Sequence, residues 1–350
     1  MHDSMAIPKL PSLTQPSVKL SVIIVSFNTR ETLRYCLELV QAELRRIAIR
    51  GFSSEILVVD NASTDGSAQM VEQFFPDVGL IRSAVNLGFG GANNLALLAS
   101  RGELLLLLNS DAFLESPVLI HLLSCMDLDE TVGMLGISQV GRDGSPQPSA
   151  RRFHTLWRDA CMMTGLAELF PHNRTWGRIF GGLDRKWEFA SYRMNVDWIP
   201  GAFMLIRRIL LEDVGLFDPA LFLYVEEVDL CKRANRNGWT VVYLPEYSVI
   251  HIGGESAGSI NSALDSPPSH QVVLWRMRST LLYYRKWHGV QAWGAAALEI
   301  ALYRLRWLRN CRSRSPQRKT RARHALQLIA LMRQAWRDTH GGRISPSQPW

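Results

Sequence analysis

Five consecutive leucines, Leu104 to Leu108, run into Asn109-Ser110-Asp111, and a second acidic cluster, Glu226-Glu227-Val228-Asp229, lies much further along the chain. A buried strand ending in a carboxylate sets an oxygen ligand at a sheet edge, where a hard divalent cation can share it with phosphate oxygens. Asn109 offers only a neutral amide oxygen, so this site carries a single carboxylate. The later cluster follows the aromatic run Phe222 to Tyr224, which implies partial burial. Burial raises a carboxylate's proton affinity and suits it to general-base work. Together the clusters imply metal-dependent transfer from a nucleotide-activated donor. Each also has a plainer reading: Asp111 can cap the turn after its strand, and acids at a helix start can simply be solvated or complement its dipole.

Three further stretches carry candidate chemistry. Asp60-Asn61-Ala62-Ser63-Thr64-Asp65 follows a second apolar run, and a carboxylate there can accept from a base N–H or a ribose hydroxyl. The same residues can form an Asx turn and a helix cap, and both can hold at once. Asn86-Leu87-Gly88-Phe89-Gly90-Gly91-Ala92-Asn93-Asn94 permits close backbone approach to a ligand at a helix start. It fits neither the dinucleotide nor the P-loop spacing, and a plain tight turn stands beside the ligand reading. His251 follows the apolar segment Tyr247 to Ile250 and precedes Gly253-Gly254; it reads as a structural histidine or as a metal ligand.

The surrounding pattern says what must position these groups. Leu20 to Ser26, Glu55 to Asp60, Val78 to Arg82 and Leu104 to Asn109 read as strands. Between them, Leu33, Cys36, Leu37, Val40 and Leu44 line one helical face, a short helix runs from the capping residues Ser63 to Asp65 to about Phe75, and Ala92 to Ser100 forms a third helix. This alternation predicts an α/β fold with a Rossmann-like, doubly wound, mostly parallel sheet. Ligands bind such sheets beyond the carboxyl ends of the strands, where Ser26, Asn28, Asp60, Asn61, Asn109 and Asp111 fall. Further along, Val132 to Ile137, Val196 to Ile206 and Thr240 to Leu244 read as strands, Ile209 to Val214 and Val228 to Asn237 as helices, and Asp143-Gly144 as a turn. Arg151 to Tyr192 has no clear period.

Length and charge bound the rest. A chain of 350 residues that is 47% hydrophobic and 20% charged fits one folded domain with an appendage. The expected division is a flexible tail over 1–19, a catalytic domain over 20–256, a mobile Gly/Ser/Pro-rich loop over 257–271, and basic amphipathic helices over 272–342, interrupted around Ser313 to Pro316. Five scattered cysteines without CxxC spacing imply reduced thiols and a cytoplasmic protein, and residues 1–19 hold no apolar signal region. Nine Arg or Lys and no acid lie between Arg304 and Arg323, so a net charge of +7 describes a local patch on an otherwise slightly acidic chain. Leu298, Leu302, Leu305 and Leu308 recur at helical spacing beside Arg304, Arg306 and Arg309, and Ala325 to Met332 is a second apolar stretch. Neither is long enough to span a bilayer. With Trp293, Trp307 and Trp336, they suit an anionic membrane surface better than nucleic acid, on the inner face of the cell membrane; a helical hairpin packed on a core with a solvated basic face is the other reading.

The motifs resemble glycosyltransferase family 2, whose fold is termed GT-A, over about Leu20 to Ser256. They are Ser21-Val22-Ile23-Ile24-Val25-Ser26-Phe27-Asn28, Val58 to Ser67, Asn86 to Asn93, Asn109-Ser110-Asp111, Gly201 to Leu205 and Phe222 to Leu230, in that order. With Ser149-Ala150-Arg151-Arg152-Phe153 they are most similar to the bacterial rhamnosyltransferase-like branch that builds surface polysaccharides. The resemblance implies that Ser26, Asn28, Asp60, Asn61 and Asp65 surround the nucleoside, and that Asn86, Gly88 and Gly91 shape the donor pocket with Asn109 and Ser110. Asp111, and His251 as in some relatives, would hold Mg2+ or Mn2+ against the diphosphate. Trp198, Gly201, Ala202 and Tyr224 would lie on the acceptor side. Glu227 would be the base, with Glu226 and Asp229 orienting it or its helix. Asn109 replaces the first Asp of the family's metal motif, and Glu227 the family's usual Asp. The expected activity is that of an inverting hexosyltransferase moving a sugar, best dTDP-rhamnose-derived, to a hydroxyl of a growing lipid-linked cell-surface polysaccharide. A UDP-hexose or UDP-galactofuranose donor stands beside it, as do a nucleotidyltransferase and a sugar-nucleotide-binding protein without turnover. The first of these two would need a glycine-rich Arg/Lys loop after the first strand, which here leads into Ser26-Phe27-Asn28 instead.

Overall fold

A computed structural model describes residues 7–13, 15–166, 169, 174–180, 193–253 and 270–346. They group into two units. The first lies within Met1–Phe153, Asp184–Pro219 and Glu226–Ala263, the second within His154–Leu183, Ala220–Val225 and Leu264–Trp350. The expected continuous catalytic stretch over 20–256 is thus interrupted: 154–183 and 220–225 group with the C-terminal helices. The loop expected over 257–271 lies, up to residue 269, outside the described residues.

The first unit is a mixed sheet flanked by helices. Its elements are β1 (Val18–Ser26), α1 (Arg30–Ile49), β2 (Ser54–Asn61), α2 (Ser67–Phe74), β3 (Gly79–Ser83), α3 (Gly88–Ala99), β4 (Gly102–Asn109), β5 (Ala112–Phe113), α4 (Leu119–Leu128), β6 (Val132–Val140) and β7 (Pro146–Gln147). After α5 (Leu156–Thr164) and α6 (Arg174–Phe180), which belong to the second unit, come β8 (Met194–Asn195), β9 (Phe203–Arg207), α7 (Arg208–Val214), α8 (Glu226–Arg236) and β10 (Thr240–His251). The sheet order is β3-β2-β1-β4-β9-β6-β10-β5. Strands β3, β2, β1 and β4 are mutually parallel, β9 runs against β4 and β6, and β10 is parallel to β6. The long strands other than β9 therefore point one way, and their carboxyl ends share an edge.

Burial explains why these runs became strands. In β4, Leu104 to Leu108 are all buried, as a strand covered on both faces demands, and Leu104, Leu106 and Leu108 share one apolar core with Val22, Ile24, Val58, Phe203, α1 and α4. The register pairs Ser26 with Asp60 and Val25 with Asn109, so the polar strand ends line up laterally.

Four elements depart from expectation. The segment expected as a loose tail is tied down from residue 7: Leu10 is buried, and Leu216 donates its backbone N–H to the Pro8 carbonyl. Val196 to Ile206 is a strand only from Phe203, because Pro200-Gly201 turns the chain before it. Helix α3 starts at Gly88, with the glycines forming its first turn rather than a preceding loop. Helix α8 starts at Glu226, which makes the acidic cluster its first turn.

The second unit carries α9 (His270–His288), α10 (Gln291–Cys311) and α11 (Pro316–Asp338). Leu274, Met277, Leu281, Ala296, Tyr303, Leu328, Ile329 and Met332 form its core. Arg276 binds Glu299 through two hydrogen bonds, Tyr303 donates to the same carboxylate, and Arg278 pairs with Asp338. In α10 the buried face is Ala292, Ala295, Ala296, Glu299 and Tyr303, which leaves Leu305 and Leu308 of the leucine stripe exposed. Among the described residues no helix is long and apolar enough to cross a membrane.

Candidate active site

Strand β10 ends in a hairpin contact with β5 that pairs His251 with Ala112, and this antiparallel step brings His251 beside Asp111. His251 Nε2 lies 3.4 Å from Asp111 Oδ1 and 3.5 Å from the Asn109 amide nitrogen. Gln147, on the short strand β7, decides the histidine's tautomer. Its Nε2 donates to the His251 carbonyl at 2.7 Å, which turns its Oε1 toward His251 Nδ1 at 3.0 Å. An amide oxygen only accepts, so Nδ1 carries the hydrogen and Nε2 presents a lone pair. Two acceptors, Nε2 and Asp111 Oδ1, thus face each other at the sheet edge, an arrangement that calls for a proton or a metal cation between them. A ligating imidazole held through its other nitrogen is the usual support of a metal site. Among the described residues no three His, Cys, Asp or Glu side chains gather as a metal-binding group.

At the end of β2, Asp60 is buried and its Oδ1 has no hydrogen-bond partner. Burial pushes its carboxyl above the ordinary carboxylate range, against the pull of hydrogen bonds from Ser63. A buried acceptor without a donor is a costly group, and a ligand hydroxyl or N–H would satisfy it. Next to it, Asn61 is fully engaged. Its amide nitrogen donates to Asn86 Oδ1 at 3.0 Å and to the Gly88 carbonyl at 3.2 Å, and its Oδ1 accepts from Leu87 N–H at 2.8 Å. Asn86 Oδ1 also accepts from Gly88 N–H, and Gly88 sits at φ +71°, where a side chain would be strained. Asn61 and Asn86 therefore clamp the turn into α3.

Other expected nucleoside residues are likewise structural in their visible contacts. Asp65 accepts from Arg30 N–H at 2.9 Å, at the start of α1, and from Ser67 N–H and Oγ, at the start of α2. Burial alone would raise its carboxyl, but these hydrogen bonds hold it below the usual range. Asn28, at φ +53°, donates its N–H to Ser63 and accepts from Thr64 N–H at 2.7 Å, stitching the turn after β1 to that after β2. Thr29 donates to Ser110, and Ser26 donates to Thr29, each at 2.9 Å, so Ser26 and Ser110 belong to a buried hydroxyl chain.

Gly90 and Gly201 are required by close packing. A Cβ at Gly90 would come within 2.9 Å of Phe217 Cβ, and one at Gly201 within 2.7 Å of the Phe89 ring. Gly91 would meet Leu87 at 3.2 Å. Asn94 locks the same region by exchanging two hydrogen bonds with the Phe217 backbone. Ala202 accepts from Asn109 N–H, and Trp198 is buried, donates its indole N–H to the Arg152 carbonyl and lies under the Arg151 guanidinium. Tyr224 falls in the second unit. It and Val225 both have positive φ, +70° and +62°, which is strained for a β-branched residue such as valine.

The acids of α8 divide by helical phase. Asp229 is fully buried and bound to Arg233, whose guanidinium also donates to the carbonyls of Val214, Gly215 and Leu216. Removing one member of such a buried pair typically costs about 3–5 kcal/mol, so Asp229 holds the helix rather than a reactant. Glu226 is 3% exposed and its Oε2 has no hydrogen-bond partner, whereas Glu227 is half-buried. The burial expected to raise a carboxyl's proton affinity therefore falls on Glu226. Desolvation first, and the neighbouring Glu227 charge second, push Glu226 well above a free glutamate.

A stability test follows. With the folded value raised, Glu226's contribution is fully present below its unfolded value near 4.5 and is lost as pH rises through the folded value. Glu226→Gln does not titrate. Its melting temperature relative to the parent should rise steadily from pH 5 toward neutrality in thermal melts at fixed ionic strength. Parallel curves would mean that Glu226 ionises like a free carboxyl.

Comparison with known proteins places these features in context. The family model described as Glycosyl transferase family 2 matches residues 21–214. N-acetylglucosaminyl-diphospho-decaprenol L-rhamnosyltransferase of Mycobacterium tuberculosis is 31% identical over 259 residues, covering 71% of this chain and 79% of the relative. Rhamnosyltransferase WbbL of Escherichia coli is 33% identical over 88 residues, covering 25% of this chain and 30% of the relative. Among solved structures, GalNAc-T7, determined with UDP, GalNAc and Mn2+, is similar at TM-score 0.52 and 17% identity. That likeness, one of fold, covers 77% of this chain and 51% of the other.

Proposed function

The chain belongs to glycosyl transferase family 2, in its rhamnosyltransferase-like branch, and from that membership we propose that it is an inverting enzyme. It moves a sugar from a nucleotide diphosphate donor, dTDP-rhamnose before UDP-hexose or UDP-galactofuranose, to a hydroxyl of a lipid-linked glycan at the inner face of the cell membrane. The donor and the acceptor class are suggested by the mycobacterial relative, whose name states both rhamnosyl transfer and a diphospho-decaprenol acceptor.

The observation that carries this reading is the pair of facing acceptors, Asp111 Oδ1 and His251 Nε2, 3.4 Å apart at the ends of β4 and β10. They fit a hard divalent cation, Mg2+ or Mn2+, which Asp111 and His251 would hold and which would take its other ligands from the donor and solvent. When bound, that cation neutralises charge on the leaving diphosphate. Asp60 Oδ1 accepts from a ribose hydroxyl or base N–H of the donor, which ends its isolation. Asn61 and Asn86 hold the first turn of α3 so that its backbone can lie against the donor. Trp198, Gly201 and Ala202 border the acceptor.

Glu227 takes the proton from the acceptor hydroxyl as its oxygen bonds to the anomeric carbon. The carbon–oxygen bond to the diphosphate breaks on the opposite face, the electron pair leaves with the phosphate, and the anomeric configuration inverts. Glu226 stands beside Glu227, its carboxyl pushed up first by burial and then by that neighbour.

A thermal-shift series of nucleotide sugars with Mg2+ and Mn2+ tests the donor assignment. The melting temperature should rise with a nucleotide sugar plus cation, most with dTDP-rhamnose, and consumption of donor in the presence of a lipid-linked acceptor should follow. No shift with any nucleotide sugar would reject the donor site. A shift without turnover would identify a binding protein instead.

A further inference from the structure

The second unit carries a feature that sugar transfer does not use. A groove of about 880 Å3 runs between α10 and α11. Its floor is made of small side chains, among them Ala297, Ala301 and Ala330. Ile300, two tryptophans, Trp293 and Trp336, and three arginines, Arg304, Arg333 and Arg337, complete the lining, which holds no Asp or Glu. Trp293 is 69% exposed, an unusual position for so large an apolar ring. Beyond the groove, toward the turn between the two helices, Leu305, Leu308 and Leu326 are exposed among the basic residues of the stretch from Arg304 to Arg323.

We propose that this groove seats a phosphate-bearing lipid of an anionic membrane surface, the arginines taking the phosphate and the alanine floor with Trp293 taking the first part of the hydrocarbon chain. The chemistry matches on both sides. Arginine forks pair with phosphate oxygens, a tryptophan with one polar edge belongs at the headgroup level, and a trough of alanines admits a chain that larger side chains would exclude. The exposed leucines favour lipid over nucleic acid, since aliphatic side chains interleaved with basic ones match a headgroup–hydrocarbon boundary, whereas single-strand binding sites pair their basic residues with aromatic stacking platforms. The groove is of the size at which proteins hold small ligands. Apolar burial and charge are both needed, because one shallow hydrocarbon contact anchors weakly without a basic patch.

Co-sedimentation of the full chain with vesicles tests this, using phosphatidylcholine alone and phosphatidylcholine with phosphatidylglycerol. The chain should pellet with the anionic vesicles, stay in solution with the neutral ones, and lose binding as salt rises. The triple variant Arg304→Gln, Arg333→Gln, Arg337→Gln should bind anionic vesicles more weakly by on the order of a hundredfold. These arginines are exposed, and an unchanged circular dichroism melt would establish that the fold is kept. If the triple variant melts early, Trp293→Ala at its exposed position carries the same test. The proposal is overturned by any of these outcomes: no binding of the parent to anionic vesicles, equal binding to neutral ones, undiminished binding of both variants, or a groove filled by a second copy or an oligonucleotide. Light scattering and oligonucleotide titration, each compared between parent and variant, detect the last two. The vesicles contain neither nucleotide sugar nor glycan, so the result is independent of the transfer reaction.

Discussion

Glu227→Gln should abolish sugar transfer and leave donor binding as it is. The expected loss in kcat is about 10^2- to 10^4-fold, the range supplied by a positioned general base, with the donor dissociation constant unchanged. The reason lies in the first turn of α8. Two adjacent carboxyls there cannot both be ionised at low cost, and burial decides which one keeps the proton. Glu226 is enclosed, with its Oε2 unpartnered and its carboxyl pushed above the usual range, whereas Glu227 is half-buried. Glutamine preserves the size of the side chain but cannot take a proton. The positive end of α8 also favours the negative form of Glu227, so the substitution removes a favourable charge as well as a base. Single-turnover measurement of transfer beside a donor-binding titration separates the two effects. Transfer by Glu227→Gln within a few-fold of the parent would reject the base assignment, and a loss confined to donor affinity would move Glu227 to the donor site.

What could be read from the sequence divides along a physical line. Strands β1, β2 and β4 were legible because a strand covered on both faces is an unbroken apolar run, and the polar residue that ends it marks the ligand edge. Asp60, Asp111 and His251 stand at or just past such strand ends. Roles within loops were not legible, since a polar residue beside a ligand pocket and one that braces the loop have the same composition. Asp65 and Asn28 illustrate this: their hydrogen bonds go to helix starts and to a neighbouring turn. Gln147 gave no signal at all, because it acts from a two-residue strand through contacts more than a hundred positions away. Asn94, read as the end of the glycine-rich stretch that could meet a ligand, instead pins the Phe217 backbone. The division of labour among Glu226, Glu227 and Asp229 needed the phase of α8, which depends on where the helix begins. Placing that start two residues late, at Val228, concealed which carboxyl was enclosed. In α10 the leucine repeat had the right period, but alanines, Glu299 and Tyr303 pack closely enough to be the buried face.

Asp111→Asn should remove cation-dependent donor binding without weakening the fold. The two readings of this residue, metal ligand and turn cap, differ in what they predict for cation-dependent binding. If Asp111 serves mainly to cap, asparagine replaces it with little change in binding and a small change in stability. If it faces His251 Nε2 as an acceptor facing an acceptor, the asparagine amide can donate to that nitrogen, and the variant should melt at or slightly above the parent temperature in metal-free buffer. The same hydrogen bond would occupy the lone pair that a cation needs. Titrations of nucleotide sugar with and without Mg2+ or Mn2+ should then coincide for the variant, while the parent binds more tightly with the cation. Transfer should fall by about 10^3-fold or more, since Lewis-acid stabilisation is worth several kcal/mol and each 1.36 kcal/mol is tenfold in rate. His251→Gln should be milder, because Asp111 still supplies the charge. Single-carboxylate sites bind a bare cation weakly, so the parent's affinity for Mn2+ alone should be low and should rise when the donor diphosphate completes the shell. A cation effect on donor binding that survives Asp111→Asn would assign the metal to other residues and leave Asp111 as a cap.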